Sequence, residues 1–323
     1  MFLSNGDHAV QISKIQSHYE LTARLSGRAW RRGGVVLLEL KSVWERQPVI
    51  SRLVLMDAEL DLERQADTPK RLFPNQAFNG ERLKALDAHV ILDARKLYAA
   101  ELPVLESLRV TADLDDGVLL LKPIDIGMAG GHVAGLFTLD GKNKPPSAHA
   151  RMELKEVRLE ELLDRPAKGA KSAGPLTGHI DLKGRGDSVA TILASASGSV
   201  EVAMKRGGIS NLLDAKLGLN GGKILRLLIT GDRAIGINNA IVAFDFETGR
   251  GKSKAILLDT DQTHTEGTGT LDLHDETVDV LLTPHPKKPG LFSLNSTIRV
   301  HGPFRQPEFS IVGKDKRKEE RRD

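Results

Sequence analysis

The stretch Leu108-Arg-Val-Thr-Ala-Asp-Leu-Asp-Asp-Gly117 decides the fold class. Leu108, Val110, Ala112 and Leu114 alternate with Arg109, Thr111 and Asp113, and then Asp115-Asp116-Gly117 breaks the pattern. A period of two places the apolar residues on one side of a strand, and an Asp-Gly break suits the tight turn between antiparallel neighbours. The same alternation recurs at Leu86, Ala88, Val90, Leu92 and Ala94, and at Val278, Val280 and Leu282 with Asp279 and Leu281 between them. Asp140-Gly141, Thr248-Gly249 and Asp275-Glu276 punctuate further runs. The expectation is a mainly β chain, an elongated antiparallel curved sheet or groove of repeated meanders with a few short helices.

Three stretches depart from this period. Val157 to Leu163, Ser188 to Ala196 and Ile209 to Leu228 space their apolar residues three or four apart, which predicts short helices, with Asp187 as the N-cap of the second. Gly221-Gly222 is expected to split the third. Gln65 to Gly80, with Pro69 and Pro74, reads as a loop. The Pro-, Gly- and Lys-containing segment 165–175 reads as a linker between an N-terminal β portion, 1–164, and a C-terminal β region with short helices, 176–313. Residues 314–323 have no apolar side chain to bury and are expected to form a disordered charged tail.

A gapless internal match supports repetition. Asp113 falls on Asp245, Leu114 on Phe246, Gly117 on Gly249, Ile124 on Ile256, Ile126 on Leu258, Gly135 on Gly267 and Leu139 on Leu271. Both copies read as strand, Gly turn, strand, loop and Gly-containing strand.

Composition excludes several classes. The 323 residues are 40% hydrophobic and 28% charged, which is globular composition. Zero cysteines rule out disulfides, thiolate metal sites and a cysteine nucleophile. The net charge of +3 comes largely from the tail, so the basic face that nucleic-acid binding needs is missing, and 4% aromatic content supplies no stacking platform. No nucleic acid is expected as a partner. No apolar run within the chain is long enough to span a bilayer, and Met1-Phe2-Leu3 passes directly into Ser4-Asn5-Gly6-Asp7 without the regions of a secretion signal.

No motif reads as a catalytic centre. Gly251-Lys252-Ser253 resembles the end of a phosphate loop, but Phe246 stands where the first glycine is required. Gly184-Arg-Gly186 lacks the third glycine of a dinucleotide fingerprint. His264, His274, His285 and His301 show no metal-ligand spacing, and Asp113, Asp115 and Asp116 fit turn chemistry better than an acid pair. No G-x-S-x-G elbow occurs. No catalytic residue, metal or cofactor is expected, and the chain is expected not to be an enzyme. The aliphatic faces have two readings that periodicity leaves open: two sheets packed together, or one curved sheet lining a groove for an apolar ligand.

The stretch Gly178 to Ile209, beginning Gly178-His-Ile-Asp-Leu-Lys-Gly-Arg-Gly-Asp187, resembles the C-terminal region of the bacterial AsmA family. Leu119 to Gly141, Leu257-Leu-Asp-Thr260, Gly267-Thr-Gly-Thr-Leu-Asp-Leu273 and Ile298-Arg-Val-His-Gly-Pro-Phe-Arg-Gln-Pro-Glu-Phe309 agree with it in order and spacing. The resemblance implies a periplasmic β body held to the inner membrane by an N-terminal helix, associated with outer-membrane integrity and phospholipid movement. No such helix lies within these residues, so membrane contact is expected through an anchor missing from them. The expected partners are phospholipid acyl chains, with an envelope protein as a further partner. The candidate groove-lining residues are Val110, Ala112, Val200, Val202, Phe244, Phe246, Leu271, Val278 and Val280. The alternative implied role is a structural or interaction module that assists outer-membrane protein assembly through an exposed strand edge.

Overall fold

The computed structural model describes side chains over residues 71–78, 83–84, 87–93, 105–158, 174–207, 236–287 and 296–312, and elsewhere only the strand paths and pairings given below. The chain is mainly β. It divides into a first unit, Met1–Val157 with Ile180–Ile192, and a second, Arg158–His179 with Leu193–Asp323.

The first unit carries β1 (Phe2–Asn5), β2 (His8–Ile15), β3 (His18–Arg24), β4 (Trp30–Arg32), β5 (Val35–Leu40), β6 (Ile50–Leu62), β7 (Ala88–Ala99), β8 (Leu105–Asp115), β9 (Val118–Met128), β10 (Gly131–Asp140) and β11 (Ser147–Arg158). β4 and β5 both lie along β6, pairing Trp30 with Leu60 and Val35 with Met56. From β7 to β11 each strand pairs antiparallel with the next. The expected meander is broken at two places: β3 pairs with β5 instead of β4, Tyr19 opposite Leu40, and β6 and β7 run parallel, Ile50 opposite Ala88 and Leu62 opposite Ala99. A parallel pair cannot be joined by a hairpin, and segment 63–87 supplies the long crossover it needs. This accounts for the irregular stretch foreseen at Gln65 to Gly80, of which 71–78 is described and contains no helix or strand.

The second unit is an antiparallel run from β13 (Ser197–Ile209) through β14 (Ile235–Glu247), β15 (Arg250–Thr260), β16 (Thr263–Asp272), β17 (Thr277–Pro286) and β18 (Thr297–Pro303) to β19 (Glu308–Val312). The boundary between the units passes through β12 (Pro175–Arg185) and helix α1 (Val189–Ala194).

α1 is the second of the three predicted helices. Its N-cap is Ser188 rather than Asp187: Ser188 Oγ accepts the Thr191 amide at 3.2 Å, and Thr191 Oγ1 accepts the Ser188 amide at 2.9 Å. The two residues close a reciprocal cap, which a Ser followed three residues later by a polar side chain favours. The Ala190 amide then donates to the Pro74 carbonyl at 3.0 Å, tying the crossover segment to the helix start. Of the first predicted helix, Val157 and Arg158 belong to β11 and 159–163 lie outside the described residues. Of the third, Ile209 closes β13 and 210–228, with Gly221-Gly222, lie outside them, as do 165–173 of the linker and the tail 314–323.

The internal match is structural. The β8–β9 turn holds Asp116 at φ 43° and Gly117 at 76°, and the β14–β15 turn holds Thr248 at 50° and Gly249 at 76°. Two successive residues at positive φ fit the type I′ turn that matches strand twist in a two-residue hairpin. The bulges also correspond: pairing shifts between Val110 and Ala112 in one copy and between Ala243 and Phe244 in the other, leaving Ala112 opposite Leu121 and Phe244 opposite Ser253. Bulges bend a sheet, so each copy curves at the same place. Gly141 N–H donates to Gly117 O, and Leu273 N–H to Gly249 O, both at 2.9 Å. Each turn glycine also lies beneath a helical residue: a Cβ on Gly117 would stand 2.9 Å from Lys84 Cγ, and one on Gly249 would strike the Ala194 backbone.

Candidate functional site

The register sorts every strand of the repeats into two faces. In the first unit Leu108, Val110, Ala112 and Leu114 of β8 lie opposite Ile126, Ile124, Leu121 and Leu119 of β9. Those in turn oppose Val133, Gly135, Phe137 and Leu139 of β10, which oppose Leu154, Met152, Ala150 and Ala148 of β11. Val90 and Leu92 of β7 extend the same face beside Ala112 and Val110. No side chain in these rows carries a charge or a hydrogen-bonding group. Ile124, Leu139 and Ala148 are buried, and the others are half-buried.

The second unit repeats the arrangement. Val200 and Val202 of β13 oppose Phe244 and Val242 of β14, and Phe246 opposes Gly251 of β15. Leu271 of β16 lies between Gly251 and Val278, and Val280 of β17 lies opposite Gly269 and Val300. All nine candidate lining residues therefore fall on apolar faces, Val110 and Ala112 in the first unit and the other seven in the second. At the far row Met204 packs with Leu176, Ala240 and Leu258. Ser253 and Thr265 bring hydroxyls to this face, and Ser253 Oγ accepts the Gly269 amide at 2.9 Å.

Sequence reading missed an exchange of bulk between the copies. Ala112, Leu121 and Phe137 of the first copy correspond to Phe244, Ser253 and Gly269 of the second. Where the first row is small, large, large, the second is large, small, small. The ring of Phe246 likewise lies over Gly251, whose Cβ, if present, would stand 2.5 Å from it. The signal was available at the mismatched positions of the internal alignment, which only the strand register makes meaningful.

The opposite faces are polar and tied across strands. His89 pairs with Asp113, Arg109 with Asp93 at 3.3 Å, and His132 with Asp125 at 3.3 Å. The His149 ring at 2.8 Å and the Arg151 guanidinium at 3.1 Å hold the Asp181 carboxyl below its ordinary pKa. In the second unit Lys287, with Asn238 and His264, lowers Asp259, and Arg299 grips Asp279 through both carboxylate oxygens at 2.7 and 2.8 Å and lowers it too.

The residues weighed for chemistry lie apart. Asp113 faces His89, whereas Asp116 pairs with Lys142 at 2.6 Å, which depresses its pKa. Gly251-Lys252-Ser253 runs within β15. Asp272, His274 and Asp275 cluster in the β16–β17 turn, but Asp272 Oδ1 accepts the amides of His274 and Asp275 at 2.9 Å each, as turn chemistry requires. Among the described residues no helix is long and apolar enough to cross a membrane.

Residues 43–256 match the AsmA family. The chain belongs to the AsmA family. It is similar to the AsmA family protein YhjG of Escherichia coli (strain K12), 27% identical over 250 residues, which is 77% of this chain and 36% of that protein. It thus spans about a third of the relative's length. No solved structure matches. The AsmA family is an envelope-associated family, so this membership points to a role in the bacterial cell envelope.

Proposed function

We propose that the apolar faces bind the acyl chains of phospholipids, and that the chain serves phospholipid transport and outer-membrane integrity from the periplasm, anchored to the inner membrane through sequence outside these residues. The observation that carries this reading is the first unit's panel: rows of apolar side chains across β7–β11, without a hydrogen-bonding side chain, left half-buried except at Ile124, Leu139 and Ala148. A sandwich core would bury such rows under a second sheet. A peptide or sugar would find no side-chain partner for its polar groups on this face, whereas a hydrocarbon needs none.

The energetics favour shelter. Two acyl chains of about 16 carbons, at about 0.8 kcal/mol per methylene, cost on the order of 25 kcal/mol to expose to water. An aliphatic sheet removes that cost without chemistry, so the reading calls for no catalytic residue and no cofactor. A second reading, a module that pairs with an envelope protein, is favoured by β19: Ile311 and Val312 are 43% and 46% exposed on a strand without Pro or Lys, and among the described residues it pairs only with β18.

Native mass spectrometry of protein purified from bacterial envelope tests both. Co-purified phospholipid, lost from a Val110→Asp variant that remains folded, is the expected result. A stoichiometric protein partner with no lipid would replace the first reading with the second.

A further inference from the structure

The two copies of the repeat present the same rows, but not in the same state. Phe244 and Phe246 are 5% and 7% exposed, and Val280 beside them is 8% exposed. Their counterparts Ala112, Leu114 and Ala150 are half-buried. At Ile124, Leu139 and Ala148 the first copy is the more buried one, Ile256, Leu271 and Val278 being half-buried, so the contrast is local to the aromatic positions and Val280. The Phe244 and Phe246 rings lie 6.3 Å apart, tilted by 41°, and the second fills the space over Gly251. Ser253 and Gly251, small residues opposite the rings, leave room for them, and Phe244, Phe246 and Val280 are buried without any ligand, whereas Val242 in the next row is 42% exposed. In the first copy the bulk sits on Leu121 and Phe137, flanked by Ala112 and Ala150, and the row stays accessible.

From this difference we infer that the ligand-free chain admits an acyl chain to the first unit's panel and keeps the second unit's panel shut at the Phe244–Phe246 row. The inference rests on the acyl-chain reading above and assigns the rings a role in it. They are specificity-determining residues that must be displaced before hydrocarbon can lie on Val280. Displacement forfeits the ring pair and the packing on Gly251, so the second panel fills only at higher lipid loading.

The absence of cysteine makes the test direct, because an introduced thiol is the sole one in the chain. Ala150→Cys and Val280→Cys place it at equivalent positions of the two copies, and Met204→Cys, buried on the second panel, replaces Val280→Cys should that variant not fold. N-ethylmaleimide labelling is followed in delipidated protein and after incubation with palmitoyl-oleoyl phosphatidylglycerol vesicles, with bound phosphorus measured on the same samples. The thiol at position 150 should react readily and be protected about tenfold or more once lipid is retained. The thiol at position 280 should react slowly with or without lipid. In a Phe244→Leu, Phe246→Leu background it should become both reactive and lipid-protected.

Equal reactivity of the two positions in delipidated protein overturns the inference. So does equal protection at low loading, which leaves the acyl-chain reading standing. Absence of retained phosphorus overturns both. Protection of position 150 that rises with protein concentration in the absence of lipid means that a second copy covers the panel, and also overturns it.

Discussion

At the residue scale, φ and burial set what each position tolerates. Gly249 combines a φ of 76° with the Ala194 backbone close above it, so Gly249→Val meets both left-handed strain and a clash. A loss of about 2 to 3 kcal/mol, read from urea unfolding, is expected, whereas Thr248→Asn, at the other positive-φ position of the turn, should be neutral or mildly stabilising. The apolar panels respond according to how far they are covered. Val110→Asp places a carboxylate on a half-buried face and should cost about 1 to 2 kcal/mol while lipid retention collapses. Val280→Asp strands a charge at an 8% exposed position and should cost about 3 to 5 kcal/mol or prevent folding. Melting temperatures of the two variants, measured side by side, check the ordering. The alternation of Val110, Ala112, Val278 and Val280 made their face legible in the sequence, but their differing burial was not, because it depends on what lies over each strand.

At the element scale, a strand's large residues are matched by small ones on its neighbour. Phe244→Ala should cost about 3 to 5 kcal/mol, as deletion of a buried ring does. Adding Ser253→Leu recreates the Ala112–Leu121 arrangement of the first copy and should recover part of that loss, giving a coupling of about 1 kcal/mol or more in a double-mutant cycle. Additive effects would mean that the two side chains do not share a space. Period-two patterning and Gly punctuation were enough to place β7, β8 and β17, and helical spacing placed α1. The parallel pairing of β6 with β7 was not readable, because local pattern fixes the face of a strand and leaves its direction to the length of the connection. The cap of α1 shifted by one residue because Ser188 completes a reciprocal pair with Thr191, which Asp187 does not.

At the scale of the whole molecule, the polar faces are sewn by carboxylates whose pKa values are lowered by His149 and Arg151 at Asp181, by Lys287 at Asp259 and by Arg299 at Asp279. A carboxyl held below its unfolded value contributes stability that is complete above that value, 3.8 for these aspartates, and is lost as pH falls through the folded one. The contribution of these exposed pairs to the melting temperature should therefore hold from pH 7 to about 5 and be lost below about 4, a modest fall that is shallower in Asp279→Asn. An acid limb unchanged by that substitution would show that the Asp279–Arg299 pair contributes nothing to it. The exchange of bulk between the two copies has a consequence for how the chain reaches its native state. Copies with the same turn, bulge and register invite strand swapping, β8 pairing with β15 or β14 with β9, as tandem repeats commonly do when they misfold. Here each swap is penalised: Ala112 would face Ser253 across a void, and Phe244 would collide with Leu121. The mismatch works as an address label, allowing the chain to duplicate an architecture while each strand still recognises its own neighbour.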